Sequence, residues 1–260
     1  MKKATFVWGL SILCILCVYI VYVFTQSDSL YLRPHVKSIH VVNLDKDTHR
    51  WASMEKNLAI EPIRWSATYG KDLTQTELAK LGVGYAMTRS GVGSYSEQGK
   101  HLRNQGVVGC YLSHRHLLTH LASLPVPDHY GHLIVEDDVT IPANFLHPSD
   151  EWHKVYYKVP TDWDIVYLDI TKPVGHYVDD NVMKLAYTIG DDSGNWGTHA
   201  YLVKHSSIQT KLLPWLHYMV DALDEQYKMK FNEWNVYAIV PGIIPLNEEQ
   251  SANSSIQIKA

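Results

Sequence analysis

Cysteine is nearly absent from this 260-residue chain: there are three, and Cys14 and Cys17 both fall in an apolar N-terminal run, leaving Cys110 alone in the remainder. An intradomain disulfide framework is therefore excluded. Cys110 reads as a small buried residue on an apolar helix, with pairing between chains as the alternative. Positive charge is also in short supply, since 23 Lys and Arg stand against 27 Asp and Glu for a formal net charge of −4, and no basic patch stands out. Nucleic acid is not an expected partner. Phenylalanine is scarce at 4, whereas Trp and Tyr number 8 and 17. Their polar tips suit sugar or nucleotide surfaces and equally serve ordinary cores. The length allows one α/β domain with a full core, or two small ones.

The N-terminal run reads differently. After Lys2 and Lys3, "FVWGLSILCILCVYIVYVF" from Phe6 to Phe24 is uncharged, and at about 1.5 Å per residue it reaches roughly 28 Å, one hydrocarbon core. A transmembrane helix is expected. A cleaved signal peptide is the alternative, but the run outlasts a signal h-region of roughly 7–15 residues, and "TQSDS" offers no small-x-small cleavage site. The positive-inside rule applied to Lys2 and Lys3 predicts a cytosolic N-terminus and a single-pass type II layout with a lumenal, Golgi- or ER-type remainder, although Arg33 and Lys37 weaken the asymmetry. Asn253-Ser254-Ser255 is an N-glycosylation sequon, usable if this end is lumenal. The expected organisation is a tail at 1–5, an anchor at 6–24, a linker at 25–36 and one globular domain at 37–260.

Within that domain, strands and helices alternate. Lys37 to Leu44 is a β-branched strand, followed by a helix with Trp51, Met54 and Leu58 at helical spacing, opened by Asp45 or Asp47. "EPIRWSAT" reads as the next strand, and "TQTELAKLG" as a short helix with Thr74 as N-cap, Glu77 completing a capping box and Gly82 as stop. Gly82 to Gly106 has no sustained period and reads as a loop, whose paired "GVG" tripeptides lack the strand and helix a phosphate cradle needs. "VVGCYLSHRHLLTHLASL" is a strong helix stopped by Pro125, with His116 and His120 at i, i+4 but no Glu between them in the zincin arrangement. "WDIVYLDI", "NVMKLAYTIG" and "NWGTHAYLVK" read as strands, "HSSIQTKLLPWL" and "DALDEQYKMKF" as helices, and "NVYAIVPGIIPL" as a last strand whose prolines place it at an edge or exit. The alternation predicts a mainly parallel sheet with helices on both faces, its ligand crevice at the carboxyl ends of the strands. Asn43 to Asp47, Glu136 to Asp138 and Asp169 all lie at such ends.

One strand end carries unusual charge. In "HLIVEDDV", an apolar strand runs straight into Glu136, Asp137 and Asp138, three carboxylates that repel one another and are costly to desolvate. A solvated turn would explain them, and so would a hard divalent cation, Mg2+ or Mn2+, held through one or two carboxylates with substrate phosphates. Strand alternation would set Glu136 and Asp138 on one side as metal ligands and Asp137 on the other.

The ordered segments "VVNLDKDTHRWASMEKNL", "GVVGCYLSHRHLLTHLA", "HLIVEDDV", "WDIVYLD" and "NWGTHAYLVKHSSIQTKLL" resemble glycosyltransferase family 25, which holds lipooligosaccharide and procollagen galactosyltransferases. The resemblance implies a GT-A-like fold, a UDP-sugar donor (commonly UDP-galactose), a Mn2+-type metal, inversion at the anomeric carbon, and a glycan or protein acceptor. By that resemblance Asn43, Leu44, Asp45 and Arg50 belong to the nucleotide site, with Ser113 and His114 near the donor. Glu136, Asp137 and Asp138 match the acidic metal motif, Asp138 being the first choice as ligand. The later acidic pair, Asp224 and Glu225, supplies the candidate general base, with Asp192 in reserve.

Two other functions fit parts of the pattern. An inactive sugar- or nucleotide-binding protein would keep the fold without turnover, and a glycoside hydrolase would use two facing carboxylates. Three acids clustered in one run favour neither.

Overall fold

Successive residues of the central strands divide between two cores. The structure, a computed structural model, describes residues 33–55, 60–74, 76, 105–187 and 194–251. On the strand Gly131–Glu136 (β3), Ile134 packs into one core while Leu133 and Val135 pack into the other, and the strands Ile165–Thr171 (β4) and Trp196–Lys204 (β7) divide in the same way. A period of two with both faces apolar is what a sheet covered on both sides requires.

The remaining strands are β1 (Val36–Asn43), β2 (Ile63–Ser66), β5 (Gly175–Asp179), β6 (Val182–Leu185) and β8 (Val236–Ile239). The eight form one sheet in the order β2-β1-β3-β7-β4-β8-β6-β5. Pairs β1/β2, β1/β3 and β4/β8 are parallel, whereas β3/β7, β4/β7, β6/β8 and β5/β6 are antiparallel. The α/β expectation holds, but the mainly parallel sheet is corrected to a mixed, mostly antiparallel one. Periodicity fixes which face a residue takes and says nothing about strand direction. β5 and β6 form a hairpin across Asp180 and Asn181, and β7 runs between β3 and β4 against both. Of the two places expected for the prolines of the last strand, an edge or an exit, the structure has the exit. β8 is paired on both sides, and Pro241 and Pro245 follow the strand, where no ladder N–H is needed.

Helices α1 (Thr48–Glu55), α2 (Gln105–Ala122), α3 (Glu151–Val155), α4 (His205–Ser207), α5 (Leu213–Trp215), α6 (Leu223–Lys228) and α7 (Glu248–Ser251) flank the sheet. A π-helical turn, Ile208–Leu212, joins α4 to α5. Along α2, Tyr111, Leu112, Leu117, Leu118 and Leu121 are fully buried, each leucine contributing roughly 1.5–3 kcal/mol relative to exposure. The helix ends before Pro125, as the steric demand of proline on its predecessor requires. Gly109 allows α2 to approach the segment after β2, because a Cβ there would meet Thr68 O and Gly70 N at 2.7 Å.

The expected anchor at Phe6 to Phe24, the helix through Glu77, most of the glycine-rich stretch, Asp192 and the sequon at Asn253 lie outside the described residues. Among the described residues no helix is long and apolar enough to cross a membrane. α2, with 18 residues, carries Ser113, His114, Arg115, His116, Thr119 and His120. The expected single-pass type II, lumenal placement is corrected accordingly.

Toward the other end of β1 and β3 lies a buried chain of imidazoles. His40 Nε2 and His132 Nδ1 both meet Ser38 Oγ, at 2.9 and 3.0 Å, and His132 Nε2 meets His205 Nδ1 at 3.1 Å, with the Tyr130 ring 5.0 Å from His132. Burial, then the charge of His120, pushes His40 down to about 4. Burial, then His40 and His205, pushes His132 down to about 3, and burial also lowers His205, against the pull of Asp128. An unfolded chain binds these protons near pH 6.5 and the fold does not, so their stabilisation is complete above that pH and is lost as pH falls below it. Urea unfolding followed by Trp fluorescence should therefore show His132→Gln losing less stability than the parent between about pH 7.5 and about pH 5, by about 2 kcal/mol. Equal pH dependence in the two proteins would contradict a neutral His132.

Candidate active site

The end of the sheet that holds the carboxyl ends of β1, β2, β3, β4 and β8 also receives the start of β7, because β7 runs the other way. That end gathers Asn43, Ser66, Glu136 and Asp169 with Gly197, Thr198 and His199. The bulged register between β4 and β7, where Asp169 faces Ala200 and Thr171 faces Trp196, marks where the ladder opens.

Asp137 is fixed first. Its carboxylate accepts from Asn43 Nδ2 at 2.6 Å and from Arg50 Nη1 at 2.9 Å, with both ion-pair partners buried. Asn43 also donates to Asp47 O and accepts from Arg64 Nε at 2.8 Å, and Arg50 Nη2 donates to Gln250 O at 2.7 Å. The Asp47 carbonyl takes the N–H groups of Arg50 and Trp51, so the residue that opens α1 also aims Arg50. Burial raises Asp137 above the usual carboxylate range, and Asn43 and Arg50 offset only part of that.

Its two neighbours are held differently. Glu136 Oε1 accepts from Thr198 Oγ1 at 3.0 Å and lies 3.6 Å from His114 Nε2. Burial pushes this carboxyl up, yet His114, His199 and Thr198 together bring it below the ordinary value. Asp138 is 6% exposed, and its Oδ1 is buried without a hydrogen-bond partner. Burial, then the charges of Glu136 and Asp137, pushes Asp138 up to about 7. Strand alternation would set Asp137 on the opposite side from its neighbours. That expectation is corrected: β3 ends at Glu136, Asp137 and Asp138 form a turn, and all three line one cleft.

The cleft encloses about 770 Å3 of space open to solvent. Leu44, Arg50, Ser113 and His114 line it with the three acids, and Lys46, Asp47, Thr68, Tyr69, Lys71 and Cys110 complete much of the wall. The Lys46 ammonium sits 4.5 Å from the Tyr69 ring centroid. Ser113 Oγ donates to Gly109 O and accepts from Thr68 N, at 2.6 and 2.8 Å, tying α2 to that wall. Asn43 stands behind Asp137. Asp45 is exposed, and Arg64 and Ser66 bond its carboxylate and lower it.

Asp224 and Glu225 begin α6 and are not among the cleft's lining residues. Asp224 accepts from the main-chain N–H groups of Gly197 and Glu225 at 3.0 and 2.9 Å, and burial raises its carboxyl. Glu225 is also raised by burial, and it is bound by Lys228 Nζ at 2.6 Å, which in turn donates to Gly194 O. β7 links the two acidic groups, with Gly197 bonded to Asp224 and Thr198 to Glu136.

Sequence reasoning misses Cys110 as a site residue, Thr198, Tyr201 and the pairing of His199 Nε2 with Asp169 Oδ2 at 2.8 Å. The i, i+4 spacing of His116 and His120 also joins Cys110 to His114, and that second pair faces the cleft while the two histidines do not line it.

The model of glycosyltransferase family 25 (LPS biosynthesis protein) matches residues 36–225, well over half the chain, with β1 at one end and Glu225 at the other. No curated protein matches the chain.

Arg50→Ala leaves the buried Asp137 carboxylate without its cation, which should destabilise the fold by about 3 kcal/mol near neutral pH. The loss should shrink in acid, where Asp137 takes up a proton. Chemical denaturation at the two pH values measures both, and a variant as stable as the parent at neutral pH would contradict the pairing.

Proposed function

Because the chain belongs to glycosyltransferase family 25, we propose that it moves a sugar, galactose in our reading, from a UDP-sugar to a glycan or protein hydroxyl with inversion, on a GT-A-like framework with Mn2+ or Mg2+. The glycosyltransferase activity is the family's. The observation that carries the finer reading is Asp138, a carboxylate at the cleft whose buried Oδ1 has no hydrogen-bond partner and whose proton affinity is raised to about 7.

An unpartnered buried carboxylate oxygen next to two further acids is costly in isolation and suits a hard cation. Asp138, with Glu136, would hold that ion, which supplies positive charge to a departing diphosphate. Asp137 plays a different part. Bonded to Arg50 and Asn43, it anchors the turn that presents its neighbours. Lys46 and Lys71, which line the same cleft, offer ammonium groups to the phosphates. Tyr69 and Leu44 offer apolar surface to a nucleoside.

Inverting transfer requires a base to take the proton from the acceptor hydroxyl. In this reading Asp224 is that base. Burial raises its carboxyl above the ordinary value, and its partners are main-chain amides that leave lone pairs free. Glu225 is the weaker candidate because the Lys228 ammonium already engages it.

The full chain, given a panel of UDP-sugars with Mn2+, should release UDP and yield a glycosylated product identified by mass spectrometry. EDTA should abolish turnover, and Asp138→Asn should lower kcat by roughly a hundredfold or more. Metal-independent turnover would remove the metal from the reading. Asp224→Asn should lower kcat by roughly 10²–10⁴ with little change in donor KM, and full activity in that variant would assign the base elsewhere.

A further inference from the structure

One set of donor atoms facing the cleft is not of the kind a hard cation selects. Cys110, His114 and Glu136 each present one ligand atom, and these atoms lie within 4.8 Å of one another. All three residues line the cleft, so an ion has a path to them. We propose that Cys110 Sγ, His114 Nε2 and Glu136 Oε1 form a binding site for a zinc-type divalent cation. This goes beyond the transferase reading and does not depend on it.

The geometry is prepared from both sides. Cys110 and His114 are one turn apart on α2, which sets their side chains on the same face. The ring of His114 is fully buried, with Nδ1 held by Tyr201 OH at 2.9 Å and the ring stacked on Tyr201. That contact aims Nε2 away from the tyrosine, and Nε2 has no hydrogen-bond partner. Its described polar neighbour is the Glu136 carboxylate at 3.6 Å, outside hydrogen-bond range, and a fully buried imidazole nitrogen with no closer partner is a cost unless an ion between the two engages it. An outer hydrogen bond that orients a histidine is the usual support for a metal ligand. Glu136 has equivalent support from Thr198 Oγ1 at 3.0 Å.

The chemistry selects the ion. Sulfur, imidazole nitrogen and carboxylate oxygen together suit Zn2+ and its neighbours, whereas Mg2+ and Ca2+ prefer oxygen throughout. Bonds of about 2.0–2.3 Å in a tetrahedral site hold ligand atoms roughly 3.3–3.8 Å apart, and His114 Nε2 and Glu136 Oε1 already stand at 3.6 Å. The thiol loses its proton to solvent on binding, so affinity rises with pH. Glu136 is common to this set and to the oxygen set, while Cys110 belongs to this one alone.

Cobalt reports on the sulfur directly. Titration of the reduced full chain with Co2+ should produce a thiolate-to-cobalt charge-transfer absorption that saturates at one equivalent and is displaced by Zn2+. In Cys110→Ser that band should vanish, and Zn2+ affinity, measured by competition with a chromophoric chelator, should fall by roughly tenfold or more. The double variant Cys14→Ser, Cys17→Ser should keep the band. Cys110→Ala serves if the serine variant does not fold, with far-UV circular dichroism as the check. No band in the parent, a band that survives replacement of Cys110, or Zn2+ affinity unchanged in the Cys110 variants would each overturn the proposal.

Discussion

The acidic end of β3 depends on the ion pair between Arg50 and Asp137. Three consecutive carboxylates in a partly dry cleft repel one another, and a fold that keeps them must neutralise at least one. Arg50 does this from α1, Asn43 adds a second donor from β1, and the guanidinium reaches on to the Gln250 carbonyl in α7. Three stretches distant in sequence therefore meet around one carboxylate. With Asp137 satisfied, Glu136 can turn to Thr198 and His114, and Asp138 can be left with an unpartnered oxygen.

The mixed sheet serves the same end. A wholly parallel sheet would bring only strand termini to the cleft. Placing β7 antiparallel between β3 and β4 brings a strand beginning there, with its main-chain amides and short polar side chains. Gly197, Thr198 and His199 then meet Asp224, Glu136 and Asp169 respectively. Gly242, just beyond β8, belongs to this arrangement because a Cβ there would collide with the Asp169 carboxylate.

Much of this is legible in the sequence, and the omissions have physical reasons. The strands, the long helix from Gln105 and the strand-end acids follow from periodicity and charge, which are local properties. Strand direction is not legible, because alternation is the same whichever way a strand runs; hence the expected parallel sheet. The facing of Asp137 goes wrong because alternation does not extend past the end of β3. Cys110 reads as a core thiol from sequence because its partners, His114 and Glu136, are brought to it by the packing of α2 against the sheet. Asp169 is recognisable as a strand-end acid, but its partner His199 lies 30 residues away in a strand whose register no local pattern specifies.

Asp224 is held by peptide N–H groups alone among the hydrogen bonds described, one from Gly197 at a φ of 98° and one from its own successor. Peptide N–H groups survive every side-chain replacement except proline. A mutational survey would thus register Gly197 as intolerant on account of its dihedral angle and its closeness to the His199 ring, while the donor that orients Asp224 stayed invisible to it. At this position the genetic record reports on the path of the chain, and the orienting donors are atoms that only a proline codon removes.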